Sequence, residues 1–497
     1  MARGASTLAS DAFHLKLQRE PEATKSVGIG VDYGTSNSAA AVFDGHRVHI
    51  VPLESSNPVT PSACYIRKEF TMETGEQAIR SYIDENRGRR VELSAEVLGE
   101  ARLSTGQMDK KTSLPGTADT STIYGREVHD RTMPGRLFFG VKRLLANASA
   151  ERVSVFGRPF RLVALVTPIL KRIVTATRLE PVSTKSSAPA WEHACIGHPV
   201  EFEGDANDHD AVALNRLREA FQHAGIERQS LCPEPIAATI SYLQKSPAEH
   251  PFRALTVDFG GGTLDLCVIR QQDSRIEVEA VHGIALGGDK IDQAIFRELI
   301  FPLLGKGERW TRTTDGRDVD TDFPFQRYEE RLLNWQVSYT LNQNDYLTPV
   351  LSQIAFGGER GEKFQRLYEL ITSNSVFEVF QAIKKAKETL STQSQAVIDI
   401  DEIDLSVTLD RTRFESIVAV FLDQFRDSID EILKVVDLES DDIDLVIRTG
   451  GSALIPAFSN ILDARFPHKV VEHDPFTGVA AGLAIADYYG IGKTRAS

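Results

Sequence analysis

One phrase occurs twice in this chain. Val31-Asp32-Tyr33-Gly34-Thr35-Ser36-Asn37 returns in the second half as Val257-Asp258-Phe259-Gly260-Gly261-Gly262-Thr263. β-rich residues stand before each copy (Val27 to Val31; Ala254 to Val257) and after it (Ser38 to Phe43; Leu264 to Ile269). Each copy therefore reads as strand, tight glycine turn, strand. Glycine at such a tip lets backbone N–H groups point outward with no Cβ in the way. Successive N–H groups turned the same way make an anion-binding concavity. Thr35, Ser36, Asn37 and Thr263 add side-chain donors, and Asp32 and Asp258 fall at strand ends. Carboxylates so placed suit Mg²⁺, an ion that keeps most of its waters and is held by one or two carboxylates plus phosphate oxygens. A pair of ordinary glycine turns is the bland alternative. The shared Val-Asp-aromatic-Gly with strands on both sides argues against it, because a duplicated hairpin can grip a phosphate chain from two sides.

The remaining composition sets limits. At 497 residues the chain is too long for one simple core, so two or more domains or lobes are expected. A formal net charge of -14 disfavours nucleic acid and anionic membrane surfaces as partners. No apolar run is long enough for a membrane span, and no signal-like segment follows Met1. Residues 1–26 are polar and mixed and read as a flexible tail. Cys64, Cys195, Cys232 and Cys267 lie far apart, mostly in apolar stretches, and read as small buried hydrophobes in a reducing, cytoplasmic setting. His193 and His198 flank a short apolar strand and read as structural.

Strands dominate from Val27 to about Leu53. The polar stretch 84–134 has little periodicity and reads as an insertion or a mobile arm. Helices are expected over Leu162–Thr177, Asp210–Gly225 and Pro235–Leu243, with a strand at Ala194–Gly197. In the second half strands run from Ala254 to Val281, followed by a helix and a long mixed segment at 301–375. A helix is expected over Asn374–Leu390, strands near Val397–Ile400 and Leu405–Leu409, and a long helix from Arg411 to about Val436. A strand at Asp444–Ile447 leads into Gly450-Gly451-Ser452, with a helix after Pro456. Strands first and helices after, twice, suggest two related α/β lobes around a ligand cleft.

These motifs resemble a known superfamily. The two hairpins are similar to the phosphate loops of the actin, hexokinase and heat-shock chaperone superfamily, and Gly450-Gly451-Ser452-Ala453-Leu454-Ile455-Pro456 to its adenosine motif. More specifically, the chain resembles the ATPase domain of the 70-kDa (DnaK-type) heat-shock chaperones. Thr60-Pro61-Ser62, Phe139 to Leu145, Pro233-Glu234-Pro235-Ile236-Ala237-Ala238, Leu286-Gly287-Gly288-Asp289-Lys290-Ile291-Asp292 and Ala386-Lys387-Glu388-Thr389-Leu390-Ser391 match that family's segments in order, from about Val27 to Ala486. The fold implied is an α/β actin-like ATPase fold with two duplicated ribonuclease-H-like lobes. Lobe I would be 27–253 with an insertion at 84–134. Lobe II would be 254–475 with an insertion at 301–375, and 476–497 would return as a helix to lobe I. The family's peptide-binding domain is not expected, so Pro199, which matches the family's switch proline, has no visible domain to signal to.

The resemblance implies a role for each matching position. Asp32 and Asp258 would hold Mg²⁺ through water. Gly34, Thr35, Ser36 and Asn37 would bind phosphates, as would Gly260, Gly261, Gly262 and Thr263. Lys142 would stabilise charge on the transferred phosphoryl group, and Glu234 would position the attacking water or the metal. Gly287, Gly288, Lys387, Ser391, Gly450, Gly451 and Ser452 would line the rest of an ATP/ADP site. Read alone, Lys142 is a solvated helix lysine, and Glu234 is an acidic helix start favoured by the helix dipole. Thr263 joins Lys142, Glu234 and Asp258 as the catalytic set.

Departures cluster on the base side. The family's Glu and Arg, four residues apart on the adenosine helix, are Lys384 and Glu388 here. Its adenine-stacking Arg is Leu454, and its Asn-Pro-Asp-Glu reads Asp474-Pro475-Phe476-Thr477. With the two insertions, these features are similar to the short YegD-type bacterial chaperone-like proteins. The leading expectation is a slow Mg-dependent ATPase whose lobe closure signals to an unknown protein partner. A non-catalytic nucleotide sensor is the alternative, and a small-molecule kinase is a weaker one. Gly492-Lys493-Thr494 imitates the end of a P-loop but has Asp487 where the upstream Gly is required. Gly28-x-Gly30 lacks the third Gly of a dinucleotide turn.

Overall fold

The computed structural model describes residues 12–13, 27–55, 57–103, 119–130, 132–147, 151–179, 193–200, 202, 209–246, 250–272, 275–314 and 317–491. The Gly492-Lys493-Thr494 decoy lies outside them, as does all of the 1–26 tail except Ala12–Phe13, a short edge strand against Glu277 and Ile276. The chain forms two compact units. One contains 1–84, 135–303 and 377–497; the other contains 85–134 and 304–376.

Two mixed six-stranded sheets form the framework of the larger unit. In the first, Val48–Ile50, Asn37–Phe43 and Gly28–Tyr33 run antiparallel, and His193–His198 and Arg228–Pro233 continue in parallel. The second sheet repeats this order. Arg275–Ile284, Leu264–Gln272 and Phe252–Phe259 are antiparallel, and Leu445–Thr449 and Val470–Glu472 follow in parallel. Numbered within its own half, each sheet reads 3-2-1-4-5 with the same strand senses.

Both faces of each sheet are buried, which explains why the strands are nearly continuous apolar runs. Strand periodicity sorts the side chains. Ile29, Val31 and Tyr33 enter an outer core with helix Leu162–Leu179 and helix His209–His223. Ala39, Ala41 and Phe43 enter an inner core shared with Cys267, Ile269 and Ile447 of the second sheet. Helices Glu234–Lys245 and Gly478–Tyr489 supply the rest of this inner core. Each follows the fifth strand of its own sheet. The two cross closely enough that a Cβ on Gly482 would lie 1.7 Å from the Ala237 carbonyl oxygen. Gly28 and Gly30 likewise make room for the backbone of the terminal helix at Ala484 and Ala480. The buried hydroxyls of Thr239 and Thr256 bond at 2.9 Å and tie the middle layer to the second sheet. On that sheet's outer face Phe259 and Phe425 stack and Phe458 meets both edge to face, with ring centroids 4.9–5.7 Å apart.

All four cysteines are buried, as their apolar settings suggest. His193 is held by Asp487 at 2.7 Å, and the same carboxylate oxygen accepts the Ile29 N–H at 2.9 Å.

The smaller unit joins two segments distant in sequence. The stretch that showed no periodicity contributes paired strands Leu93–Leu103 and Asp119–Asp130. The 304–376 part contributes strands Arg309–Thr314 and Arg317–Asp322 and helices Gln326–Leu332, Asn344–Ile354 and Gly358–Ser373. Phe323, Tyr328 and Phe364 form its aromatic centre. Arg89 links the segments: it pairs with Asp130 at 2.6 Å, and its carbonyl accepts the Asn342 side-chain amide at 2.9 Å.

Candidate phosphate and metal site

The two motif copies form equivalent hairpins. Tyr33 faces Ser38 across the first tip, and Phe259 faces Leu264 across the second, so each tip spans four residues. Asp32 lies two residues beyond Gly30 on the inner face of its sheet, and Asp258 two beyond Thr256. Both aspartates are thus the last inner-facing residues of their strands.

Different neighbours brace each tip. Thr60-Pro61-Ser62 runs along the first. The Ser62 hydroxyl donates to the Gly34 carbonyl at 2.8 Å, and the Ser62 N–H donates to the Ser36 carbonyl at 2.9 Å. Ser38 and Ser62 hydroxyls bond at 2.8 Å. The second tip closes on itself through the Gly260 N–H and the Thr263 carbonyl at 3.1 Å. It also receives two other segments. Gly288 N–H donates to the Gly260 carbonyl and Asp289 N–H to the Gly261 carbonyl, while the Ser452 hydroxyl donates to Gly260 at 2.8 Å. These approaches require glycine: a Cβ on Gly287 would lie 2.2 Å from the Gly261 oxygen. Gly450, at φ 84°, would place one 2.9 Å from an Asp258 carboxylate oxygen.

Lys142 is not solvated. It follows strand Gly135–Phe139, turns at Gly140 (φ 71°) onto the short helix Val141–Leu144, and is 5% exposed. Its Nζ meets Glu234 Oε1 at 2.6 Å. Glu234 opens the helix after the fifth strand, with Pro235 in the first turn. Gly197, at the end of the fourth strand, keeps space beside both: its Cβ would lie 3.4 Å from Glu234 Cγ and 3.7 Å from an Asp32 oxygen.

Four carboxylates gather around this one ammonium. Asp265 is the cross-strand partner of Asp258 and accepts the Thr263 hydroxyl at 2.8 Å. Loss of solvent and then the charge of Glu234 push Asp32 up to about 7, against the opposing pull of Lys142. Asp258 is driven well above the carboxylate range by loss of solvent, then by Glu234, Asp265 and Asp32. Burial works against the charged form of Lys142, yet Glu234 and Asp32 hold its ammonium above the ordinary lysine range. A site with this balance takes up protons or a cation.

The donor set fits Mg²⁺ on those grounds, with Asp32 and Asp258 as the residues to hold its waters. Among the described residues no group of three His, Cys, Asp or Glu side chains is arranged as a direct metal cage. The Ser36 hydroxyl also fits a polar ligand: it is buried between the tips and has no hydrogen-bond partner among the described residues. A Cβ on Gly261 would sit 2.9 Å from it.

Some anticipated contacts have other partners here. Lys387 pairs with buried Asp292 at 2.5 Å and donates to the Gly288 carbonyl at 3.3 Å, so it pins the Gly287–Gly288 turn. Ser391 bonds back to the Lys387 carbonyl within its own helix. Thr35 has its methyl near Gly140, and Asn37 is exposed at the strand start. Asp265, Gly197 and Arg143, the last 3.8 Å from Asp289, were not singled out from sequence. An acidic residue inside the apolar run Leu264-Asp265-Leu266-Cys267-Val268 was the available signal for Asp265. A separate groove between helices Arg411–Val435 and Pro456–Arg465, floored by Leu422, Ile429 and Ile461, contains none of these residues.

The fold and site define a class: a mixed α/β protein with two like sheets, each presenting a glycine-rich hairpin with an aspartate at its strand end. A family model described as Hsp70 protein matches residues 192–308 and 363–490, just under half of the chain. Over those two segments the chain is similar to Hsp70 proteins. They include Glu234, the second hairpin, Gly287–Gly288, Lys387 and Gly450–Ser452, and omit the first hairpin and Lys142. No helix among the described residues is long and apolar enough to cross a membrane.

Proposed function

We propose that this chain is an actin-like, Hsp70-related ATPase domain that binds ATP or ADP with Mg²⁺ and hydrolyses ATP slowly. On this reading 27–253 and 254–475 are duplicated ribonuclease-H-like lobes, and 476–497 returns to the first. Nucleotide state sets lobe closure, and a protein partner in the cytoplasm reads it, as in a chaperone-like protein of the YegD type.

The observation that carries the reading is the Lys142–Glu234 pair at 2.6 Å, buried beside Asp32 and close enough to Asp258 to bias its ionisation. Phosphoryl transfer depends mainly on positioning and on stabilising charge. Lys142 puts a fixed positive charge where negative charge develops on the transferred group, and Glu234 holds that ammonium in place. The free carboxylate oxygen of Glu234 is available to orient a water. Backbone N–H groups and hydroxyls of 34–37 and 260–263 take phosphate oxygens from two sides. Mg²⁺, when bound, neutralises phosphate charge and relieves the repulsion among Asp32, Asp258 and Asp265.

Single-turnover ATP hydrolysis with Mg²⁺ tests this. Asp258→Asn is expected to abolish turnover; turnover equal to wild type would remove hydrolysis from the account. Nucleotide binding with no turnover in wild type would favour the non-catalytic sensor.

A further inference from the structure

Phe476 is 56% exposed, although it lies against the Gly450–Ser452 loop of the site. Its ring edge rests on Gly451: a Cβ there would lie 3.2 Å from Phe476 Cε1 and 3.5 Å from Cζ. That loop is the one whose Gly450 stands over Asp258 and whose Ser452 donates to Gly260. The backbone at Phe476 is fixed by polar bonds. Asp474 accepts the N–H groups of Phe476 at 3.0 Å and Thr477 at 2.9 Å and the Thr477 hydroxyl at 2.6 Å. Its own carbonyl accepts the Thr449 hydroxyl at 3.2 Å. The aromatic side chain is thus presented on a fixed support, with more than half of its surface in solvent. A crevice lined by Lys387, Leu390, Ile455 and Pro456 lies between the start of helix Pro456–Arg465 and helix Val376–Thr392.

We infer that Phe476 is the stacking surface for the nucleobase of the bound nucleotide. The inference rests on the proposed nucleotide reading and adds the base contact to it. The Gly450–Ser452 loop abuts the Gly260–Thr263 tip that the proposed function assigns to phosphate, and Phe476 is the exposed aromatic on that loop. An aromatic face offers every base a π-surface and reads no hydrogen-bonding edge. Recognition by Phe476 is therefore of a planar base attached to phosphates, with adenine and guanine treated alike by this contact.

Calorimetric titration of Mg²⁺ with ADP, and separately with inorganic pyrophosphate, into wild type and Phe476→Ala tests the inference. The ring is largely exposed, so the variant is expected to fold as wild type does. ADP affinity should fall about tenfold in Phe476→Ala, as expected for loss of one base–aromatic stack. Pyrophosphate affinity should not change. Phe476→Trp should keep ADP affinity and show a fluorescence quench with ADP that pyrophosphate does not produce. Unchanged ADP affinity in Phe476→Ala, or equal loss for both ligands, would overturn the stacking role while leaving nucleotide binding in place. Failure of wild type to bind either ligand would overturn the nucleotide reading itself.

Discussion

The two sheets share one topology and one hairpin register, yet they carry different charge. In the first hairpin Asp32 faces Ala39 across the strands; in the second Asp258 faces Asp265 at the same register position. Like charges directly opposite on antiparallel strands destabilise a sheet. The second sheet therefore holds a repulsion that the first avoids. The cation comes from the other half: Lys142 lies between the first sheet's two strand groups in sequence, and its partner Glu234 follows that sheet's fifth strand. Between the second sheet's fifth strand and its helix stands Phe476, exposed on Gly451. The two sheets share a scaffold, and one half carries the compensating cation while the other carries the concentrated negative charge. Neither half is electrostatically complete alone.

Removing the shared cation breaks this comparison most severely. Lys142→Met leaves Glu234 buried without its partner and the aspartates without an opposing charge. Truncating one member of a buried pair costs about 3–5 kcal/mol. On the proposed function Lys142 also stabilises the transferred phosphoryl group, and loss of one such contact lowers turnover roughly 10²–10³-fold. Denaturant unfolding at pH 8 and single-turnover hydrolysis would read the two effects. The stability loss should shrink toward pH 5 as the freed carboxylates take up protons. A variant as stable and active as wild type would show that the charges do not depend on one another.

A smaller change sharpens the contrast between hairpins. Asp258 has a folded-state pKa raised above its unfolded value. The folded state then binds the proton more tightly, so stability is lost as pH rises from about 4, the unfolded value, through the folded one. Asp265→Asn removes one cause of that rise while keeping an acceptor for Thr263. Without divalent ions the variant should be more stable than wild type by about 1 kcal/mol at pH 8, with little difference at pH 4. Urea unfolding at the two pH values would measure it. Destabilisation at pH 8 would mean that the Asp258–Asp265 pair is not repulsive.

Much of this arrangement is legible in sequence because it is local. The hairpins follow from a repeated Val-Asp-aromatic-Gly, and matching tip lengths follow from the one-to-one alignment of the copies. Paired strand-and-helix patterns gave the element order of both halves. Lys142 is different: on a four-residue helix no periodicity marks it as buried, and only the similarity of Phe139–Leu145 to a known segment draws attention to it. Its burial depends on Glu234, far along the chain. Asp265 was legible as an acid in an apolar strand, but its meaning came only from register. Lys387 was singled out by a motif, and its pairing with Asp292, far along the chain, was not legible in that motif. The smaller unit was least legible. Its two segments are joined by contacts such as Asn342 to Arg89, and no local pattern in 84–134 or 301–375 encodes that pairing.

The most direct measurement is a calorimetric titration of ADP into the protein with Mg²⁺ and with Mg²⁺ removed by chelation. Four carboxylates near one lysine should repel a free nucleotide polyphosphate and accept its magnesium complex, so affinity should be at least tenfold higher with the ion. Equal affinity in the two conditions, or no binding in either, would contradict the account.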